Sequence, residues 1–392
     1  MAFAGEDAAG ITAGAYPDWA RWPAEPLVGE WSLGAEEEIM LLAPGSWELA
    51  HVSDDVLPAL SPELAPSVSA ETHAGAIELA TGPHRTAAEV TDELARLRTR
   101  LAAELDGLDL RAAAAGTHPM AEWQDTQVSG GARYQLLWDT LRDLVRREPT
   151  FALHVHVGVR DPEVAVEVAN RLRAHLPVLL ALSANSPFWR GRDSGLASMR
   201  SPHFHAFPRS GLPRRFDSYA DWVDTVSTLI DAGAFPEPTF LWWDVRLQPR
   251  FGTVEVRVMD AQSTLRDVGA LVALTQAVAR LEAEERYAPE ALFDAPEVLA
   301  ENRFLAARDG VEAELVDPVA RRRVPVAVAA RELLDAARPH ARELGGLPEL
   351  ETVQELLDSP PAARQRALAR RLGGLPGVVE TLSAGFACTP VR

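Results

Sequence analysis

The stretch FALHVHVGV, residues 151–159, places two histidines one residue apart within an otherwise apolar run. The apolar side chains recur with a period of two, which predicts a β-strand whose successive side chains point to opposite faces. One face can join a core, and the other presents His154 and His156 beside Gly158, where another group can approach closely. Two interpretations stay open for this segment alone: hydrogen-bonded histidines on a half-exposed strand, or a functional site.

Four further segments alternate in the same way, with apolar side chains on one face and ionisable side chains on the other. They are GAEEEIML (34–41), AIELAT (76–81), WWDVRLQ (242–248) and TVEVRVMD (253–260). The ionisable positions on the polar faces of all five strands are Glu36, Glu38, Glu78, His154, His156, Asp244, Arg246, Glu255 and Arg257. Glu37 interrupts the apolar face of its strand, and we expect it near the solvent edge of that face.

If the five strands belong to one sheet, its second face concentrates carboxylates, imidazoles and guanidiniums. A solvated face with cross-strand ion pairs is the simpler explanation, but such faces also carry Thr, Ser and Gln, and these positions are almost all ionisable. Carboxylates with one or two imidazoles suit hard cations such as Mg²⁺ or Mn²⁺, and arginine binds phosphate with two hydrogen bonds. This combination of groups fits phosphoryl transfer.

The composition excludes several kinds of partner and site. The chain has 392 residues and a net charge of −19, which argues against binding to nucleic acid or to an anionic membrane. Its one cysteine, Cys388, allows no internal disulfide and no cysteine-based metal site, and all 38 basic residues are arginine, so no lysine can act on phosphate. The amino-terminal residues do not resemble a secretory signal and no long apolar run could span a membrane, so we expect a cytoplasmic protein.

The order of the predicted elements indicates an α+β fold, because strands and helices mix without regular βαβ alternation. Residues 1–28 are rich in Ala, Gly and Pro and form a predicted amino-terminal arm, and 29–392 form a predicted single domain whose part from about 327 is helical. Helices are predicted over 86–106, 134–147, 161–184, 218–231 and 264–285 from apolar spacing and capping residues.

A series of motifs runs in order through residues 31–325. They are GAEEEIML (34–41), IELATG (77–82), AGTHP (115–119), RYQ (133–135), HVHVG (154–158), ALSANSPFWRGRDSGLASMR (181–200), AFP (206–208), WWDVRLQPRFGTVEVRVMDAQSTL (242–265) and ENRFLAARDG (301–310). By their order and spacing the sequence resembles the carboxylate–amine ligase family, also called glutamate–cysteine ligase type 2, which is related to glutamine synthetase. The resemblance implies a curved six-stranded antiparallel sheet with helices packed on its outer face.

The same resemblance implies a reaction and a set of site residues. The implied activity joins L-glutamate to an amine such as L-cysteine through a γ-glutamyl phosphate, using ATP and Mg²⁺, with Mn²⁺ as an alternative. The implied metal ligands are Glu36, Glu38, Glu78, His154 and Glu255. The implied nucleotide-binding residues are His154, His156, Arg200 and Arg257, and the implied catalytic arginines are Arg257, Arg200 and Arg246. The segment ETHAGAIELATG departs from the family pattern; Glu71 is a candidate for a further role there, and His73 has none assigned.

Several alternatives remain open from the sequence. The same ligase chemistry could act on a different amine acceptor or a different acid, because the motifs describe the phosphoryl-transfer site and not the amine pocket. A metal-dependent hydrolase built on the two histidines is a second alternative, and a noncatalytic relative that binds nucleotide or amino acid is a third. A homodimer is compatible with such a chain, although no segment identifies an interface.

Overall fold

A computed structural model describes residues 16–147 and 149–387, so the first part of the predicted arm and Cys388 lie outside the described residues. The strands are β1 Leu33–Leu42, β2 Val68–Ala70, β3 Ala76–Ala80, β4 Arg111–Ala113, β5 Ala152–Gly158, β6 Phe188–Trp189, β7 Arg192–Asp193, β8 Ser210–Gly211, β9 Trp242–Trp243, β10 Val245–Gln248, β11 Thr253–Asp260, β12 Glu314–Asp317 and β13 Arg322–Pro325. The helices are α1 Ser53–Ala59, α2 Ala87–Asp106, α3 Ala132–Leu141, α4 Pro162–Leu172, α5 Leu176–Ser183, α6 Arg200–Phe204, α7 Tyr219–Asp231, α8 Leu265–Glu285, α9 Glu290–Phe293, α10 Pro296–Asp309, α11 Val326–Glu343, α12 Leu347–Glu351, α13 Val353–Asp358, α14 Pro361–Leu372 and α15 Leu375–Gly385.

The main sheet is antiparallel, as predicted, with strand order β10-β11-β5-β1-β3-β2. Within the described residues it has seven strands, one more than the predicted six, because β4 also pairs with β1. The ten residues of β1 are long enough for two partners along one edge. Its first half pairs with β5, and Met40–Leu42 pair with β4.

Helices cover the apolar face of the sheet, which confirms the predicted layers. The valines of β5 and β11 are fully buried and join one core cluster with side chains of α4, α5 and α8. The helix α8 is buried along most of its length, and Thr264 caps its first turn by accepting a hydrogen bond from the Asp267 amide. Burial of apolar area between the sheet and these helices therefore holds the sheet in place.

Two predicted elements are interrupted in the structure. The helix predicted over 161–184 begins as expected, with Asp161 accepting hydrogen bonds from the amides of Glu163 and Val164, but it divides into α4 and α5. Pro177, near the start of α5, cannot donate the backbone hydrogen bond that a continuous helix requires. The strand predicted over 242–248 is also interrupted, at Asp244, which separates β9 from β10.

The described part of the arm packs against α7 and the end of β5. The indole of Trp22 donates to the carbonyl of Val159 at 2.9 Å, and the hydroxyl of Tyr219 donates to the carbonyl of Ala20 at 2.6 Å. Tyr16 contacts Tyr219 edge to face. In the described residues, no helix combines the length and the apolar character needed to cross a bilayer.

Candidate active site

The register of β1 with its neighbours brings together the acidic side chains predicted from three strands. Glu36 lies opposite His154 on β5, and Glu38 lies opposite Glu78 on β3. The Nδ1 atom of His154 is 3.2 Å from the nearer Glu36 oxygen, and its Nε2 atom is 3.7 Å from Glu38. The prediction that these strands present their polar faces side by side in one sheet is therefore confirmed.

The other half of the polar face is built by β10 and β11. Glu255 lies opposite His156 and opposite Arg246 in the two strand pairs. Its carboxylate accepts hydrogen bonds from Arg246 at 2.5 Å, from Gln248 at 2.8 Å and from Arg257. His156 is 3.9 Å from the same carboxylate and 3.3 Å from Glu36. Glu255 thus joins the two arginines to the histidine pair.

A cavity of about 830 Å³ opens above this face. Five of the predicted residues line it: Glu36, Glu38, Glu78, Arg246 and Arg257. Further lining side chains include Trp19, Glu71, Arg133, Tyr134, Phe204, Phe207, Trp242 and Phe251. His154, His156 and Glu255 are buried and contact the lining residues from beneath. The cavity therefore has a charged floor and a partly aromatic remainder.

The floor offers three sets of ligand atoms in which all atoms lie within 4.8 Å of one another. The sets are Glu36 with Glu78 and His154, Glu36 with His156 and Glu255, and Glu38 with Glu71 and Glu78. The Nε2 atoms of both histidines are buried and have no hydrogen-bond partner among the described residues. Unsatisfied buried nitrogens beside clustered carboxylates fit a divalent cation, which would satisfy both.

The electrostatics of the floor divide its carboxylates into two kinds. Burial raises the pKa of Glu38 to about 8, with the Glu71 carboxylate as a further cause. Burial and the neighbouring Glu36 also raise the pKa of Glu78 well above its usual value. Without a cation, these two groups therefore favour the protonated form at neutral pH.

Two other carboxylates of the floor, Glu36 and Glu255, stay charged because their basic neighbours outweigh the effect of burial. Burial alone would raise the pKa of Glu255, but Arg246 and Arg257 hold it well below its usual range. Burial is likewise outweighed at Glu36, where His156 and His154 lower the pKa. Burial and Arg257 lower the pKa of His154 to about 4, so its imidazole is neutral at pH 7 and can act as a ligand.

Arg200 occupies a different position from the other predicted residues and is not among those that line the cavity. It begins α6, is only 3% exposed, and donates to the backbone carbonyls of Arg257 at 3.1 Å and Val258 at 3.2 Å. Its guanidinium is also 3.9 Å from Asp260. Arg200 therefore contacts the strand that carries Arg257.

Two acidic residues depart from their predicted positions. The prediction for Glu37 is wrong: its side chain is fully buried and bonds Arg98 of α2 at 2.6 and 2.8 Å. Asp244 shares strand parity with Arg246, but Arg303 of α10 binds its carboxylate at 2.6 Å, and it does not line the cavity. Both carboxylates pair with arginines from segments distant in sequence. The alternation of side chains along a strand cannot reveal such partners.

Three further residues lie in or near the site: Gln248 and His73, for which the sequence predicts no role, and Glu71, which is a candidate for a further role. Gln248 has the same strand parity as Arg246, and this could have identified it as a partner of Glu255. Glu71 joins Glu38 and Glu78 in one of the ligand sets. His73 also borders the cavity, but its ring bonds the carbonyl of Val145 at 2.8 Å, and burial lowers its pKa to about 4.

Comparison with known proteins agrees with this geometry. The family model described as "Glutamate-cysteine ligase family 2" matches residues 32–383. The chain is 37% identical to "Putative glutamate--cysteine ligase 2-1" of Rubrobacter xylanophilus, over 91% of this chain and 94% of that protein. It is 36% identical to "Putative glutamate--cysteine ligase 2" of Thermobifida fusca, over 91% of this chain and 90% of that protein.

Two solved structures share the fold at low sequence identity. A glutamate–cysteine ligase of Francisella tularensis in complex with AMP superposes with a TM-score of 0.69 at 16% identity, covering 91% of this chain and 88% of that chain. A bifunctional glutathione synthetase of Pasteurella multocida gives a TM-score of 0.67 at 14% identity, covering 91% of this chain and 52% of that chain. With the match to the family model over most of its length, the chain belongs to glutamate-cysteine ligase family 2.

Proposed function

We propose that this protein is an ATP-dependent carboxylate–amine ligase that joins the γ-carboxylate of L-glutamate to an amine, with L-cysteine as the first acceptor to test. The observation that carries the proposal is the charged floor of the cavity. The cavity volume of about 830 Å³ is large enough for a nucleotide together with small substrates. Carboxylates, imidazoles and guanidiniums from five antiparallel strands meet there, and membership of the family supports the same reading.

In the proposed reaction the γ-carboxylate of glutamate attacks the γ-phosphorus of ATP, and the bond from that phosphorus to the bridging oxygen breaks to release ADP. The amine then attacks the carbonyl carbon of γ-glutamyl phosphate and expels phosphate, with loss of a proton from the amine. The protein's main task in such a reaction is to position the phosphates and to stabilise their charge.

Different residues of the floor would position the phosphates and stabilise their charge. Glu36, Glu38, Glu78, His154 and Glu255 would hold Mg²⁺ or Mn²⁺, which when bound supplies positive charge to phosphate oxygens. The guanidinium of Arg257 lines the cavity, and its pKa is raised by the Glu255 carboxylate against the effect of burial, so it stays charged throughout. Arg257 is the residue we expect to face the transferred phosphoryl group.

Arg246 has a supporting position in this scheme. It lines the cavity and bonds Glu255, and its other contacts are the carbonyls of Thr239 and Leu241. The imidazole of His156 lies beneath the cavity, 3.3 Å from Glu36, and we assign it to the nucleotide-side groups of the proposal. Each of these side chains is held by a neighbour in the sheet, which fixes its geometry before substrates bind.

The acceptor amine is the part of the proposal with a second candidate. The cavity also has aromatic lining residues, among them Phe204, Phe207 and Trp242, which contact one another through Phe207. Such a surface could pack against an acceptor larger or more apolar than cysteine. The same ligase chemistry with a different amine, or with a different acid, is therefore tested in the same experiment.

The experiment measures ADP release from MgATP and L-glutamate across a panel of amines, with products identified by mass. A γ-glutamyl amide formed in proportion to ADP supports the ligase, and the amine in that product identifies the acceptor. We expect Glu255→Gln to lower turnover at least about 100-fold, because it removes a charge held by two arginines. The exposed Glu314→Gln is the matched control. Normal turnover in Glu255→Gln, or ADP release without any amide, contradicts the proposal.

A further inference from the structure

The strand β11 contains a β-bulge at Arg257. Its pairing with β5 runs regularly to Val256, which lies opposite Val155, and resumes with Met259 opposite Leu153. Two residues of β11, Arg257 and Val258, therefore face one residue of β5. Such a bulge bends the strand, leaves ladder groups unpaired and re-aims a side chain, and bulges are common beside active sites.

The backbone of this bulge is held by groups from outside the β5–β11 ladder. The amide of Arg257 donates to the carbonyl of Asp244 at 2.8 Å. The two carbonyls of the bulge, those of Arg257 and Val258, both accept from the guanidinium of Arg200, at 3.1 and 3.2 Å. Arg200 thus satisfies both bulge carbonyls with its two terminal nitrogens, Nη1 and Nη2.

Arg200 is in turn fixed by a buried network. Its amide donates to the hydroxyl of Ser186 at 3.1 Å, and Ser186 donates to Asp260 at 2.6 Å. Asp260 also accepts from Ser198 at 2.9 Å and from the Asn185 amide at 2.8 Å. The loop that carries Arg200 is therefore tied to the end of the same strand whose bulge Arg200 holds.

We propose that Arg200 is a positioning residue that clamps the β11 bulge and thereby aims the Arg257 guanidinium into the cavity. Only the kinetic test of this inference rests on the proposed function, because it measures ligase turnover. This role differs from the implied one, in which Arg200 binds nucleotide and acts as a catalytic arginine, because both of its terminal nitrogens bond backbone oxygens and the residue does not line the cavity. Arg257 is the group that touches substrate, and Arg200 acts through it.

The test compares Arg200→Lys and Arg200→Gln with the wild-type protein. An ammonium cannot reproduce the fork that reaches two carbonyls, so we expect kcat to fall by about 10- to 100-fold in Arg200→Lys, with KM for ATP and glutamate within about threefold. The exposed Arg192→Lys, in the short strand β7 that precedes Arg200, serves as the matched control. A rise of KM for either substrate with kcat unchanged would instead make Arg200 a substrate contact and overturn the proposal.

A spectroscopic readout separates this inference from the proposed function. In protein with ¹⁵N-labelled arginine, the Nε–H resonance of Arg257 is assigned by its loss in Arg257→Lys. We expect this resonance to shift in Arg200→Lys and in Ser186→Ala, and not in Arg192→Lys, whether or not the wild-type protein shows ligase turnover. An unmoved Arg257 resonance in both folded variants would overturn the clamp. Ser186→Ala also keeps the test decisive if Arg200→Lys does not fold.

Discussion

The buried pair of Glu37 and Arg98 gives a stability prediction that does not depend on function. Both side chains are fully buried, and Arg98 bonds both carboxylate oxygens as well as the carbonyl of Gln262 at 2.8 Å. Its Nη1 atom has no hydrogen-bond partner among the described residues. In Glu37→Gln the guanidinium would keep its charge in the core without a counter-ion.

The expected loss follows from that uncompensated charge. Removing one partner of a buried ion pair destabilises a protein by about 3–5 kcal/mol. The unfolding entropy of a chain of 392 residues is about 0.8 kcal/mol/K, so this loss lowers Tm by about 4–6 °C. The double variant Glu37→Leu with Arg98→Met should recover most of that loss, because it removes both charges and keeps the volume.

Thermal unfolding by circular dichroism, at pH 7 and fixed salt, measures these differences. The control is Glu63→Gln, whose side chain is 67% exposed and pairs with an exposed arginine, and it should leave Tm within about 1 °C. A Tm for Glu37→Gln as close to wild type as that of the control would refute the reasoning. A double variant less stable than Glu37→Gln would refute the second step.

Two further predictions concern pH, cation and packing. The pKa values of Glu38 and Glu78 are raised in the folded protein, to about 8 for Glu38, so the stability that Glu38 contributes is present below about pH 4.5 and is lost as pH rises through about 8. In metal-free protein, Tm should therefore fall less steeply between pH 6 and pH 8 in Glu38→Gln than in wild type. Added Mg²⁺ should raise the Tm of the wild type more at pH 8 than at pH 6. Equal slopes of Tm against pH in the two proteins would argue against a raised pKa at Glu38. Gly116→Ala would place a Cβ 2.5 Å from the Asp260 carboxyl carbon, so we expect it to lower Tm by about 1–4 °C. The control is Gly385→Ala, which has open space around the new Cβ and should leave Tm unchanged. An unchanged Tm for Gly116→Ala would show that Asp260 can move.

The alternation of apolar and ionisable residues predicted the strands of the sheet, because successive side chains of a strand point to opposite faces and only one of those faces joins the core. The five polar faces meet in the structure as expected, and the helices cover the opposite side. The count of six strands is what the family resemblance implies; the additional strand, Arg111–Ala113, is three residues long, and its pairing depends on the length of β1. Helical spacing also could not locate the break between α4 and α5, which depends on where Pro177 falls in the packed chain.

The same rule located Glu37 on the apolar face but assigned it to the wrong environment. A carboxylate on a buried face needs a cation, and the one that pairs with Glu37 is Arg98, 61 residues away in sequence on α2. No local pattern connects the two residues. The pair has a consequence for the site, since it fixes β1 with Glu37 inward and so holds Glu36 and Glu38 toward the cavity.

Arg200 marks the limit of what motif and parity can decide about a site. The motif placed it with the phosphate-binding arginines, and the structure does bring it next to Arg257, so its proximity to the site follows from the sequence. Its contacts do not, because they depend on a one-residue bulge that leaves the alternation of Val254, Val256 and Val258 intact. Two neighbouring arginines can thus have different tasks: Arg257 bonds Glu255 and lines the cavity, whereas the terminal nitrogens of Arg200 bond the backbone of the strand that carries Arg257.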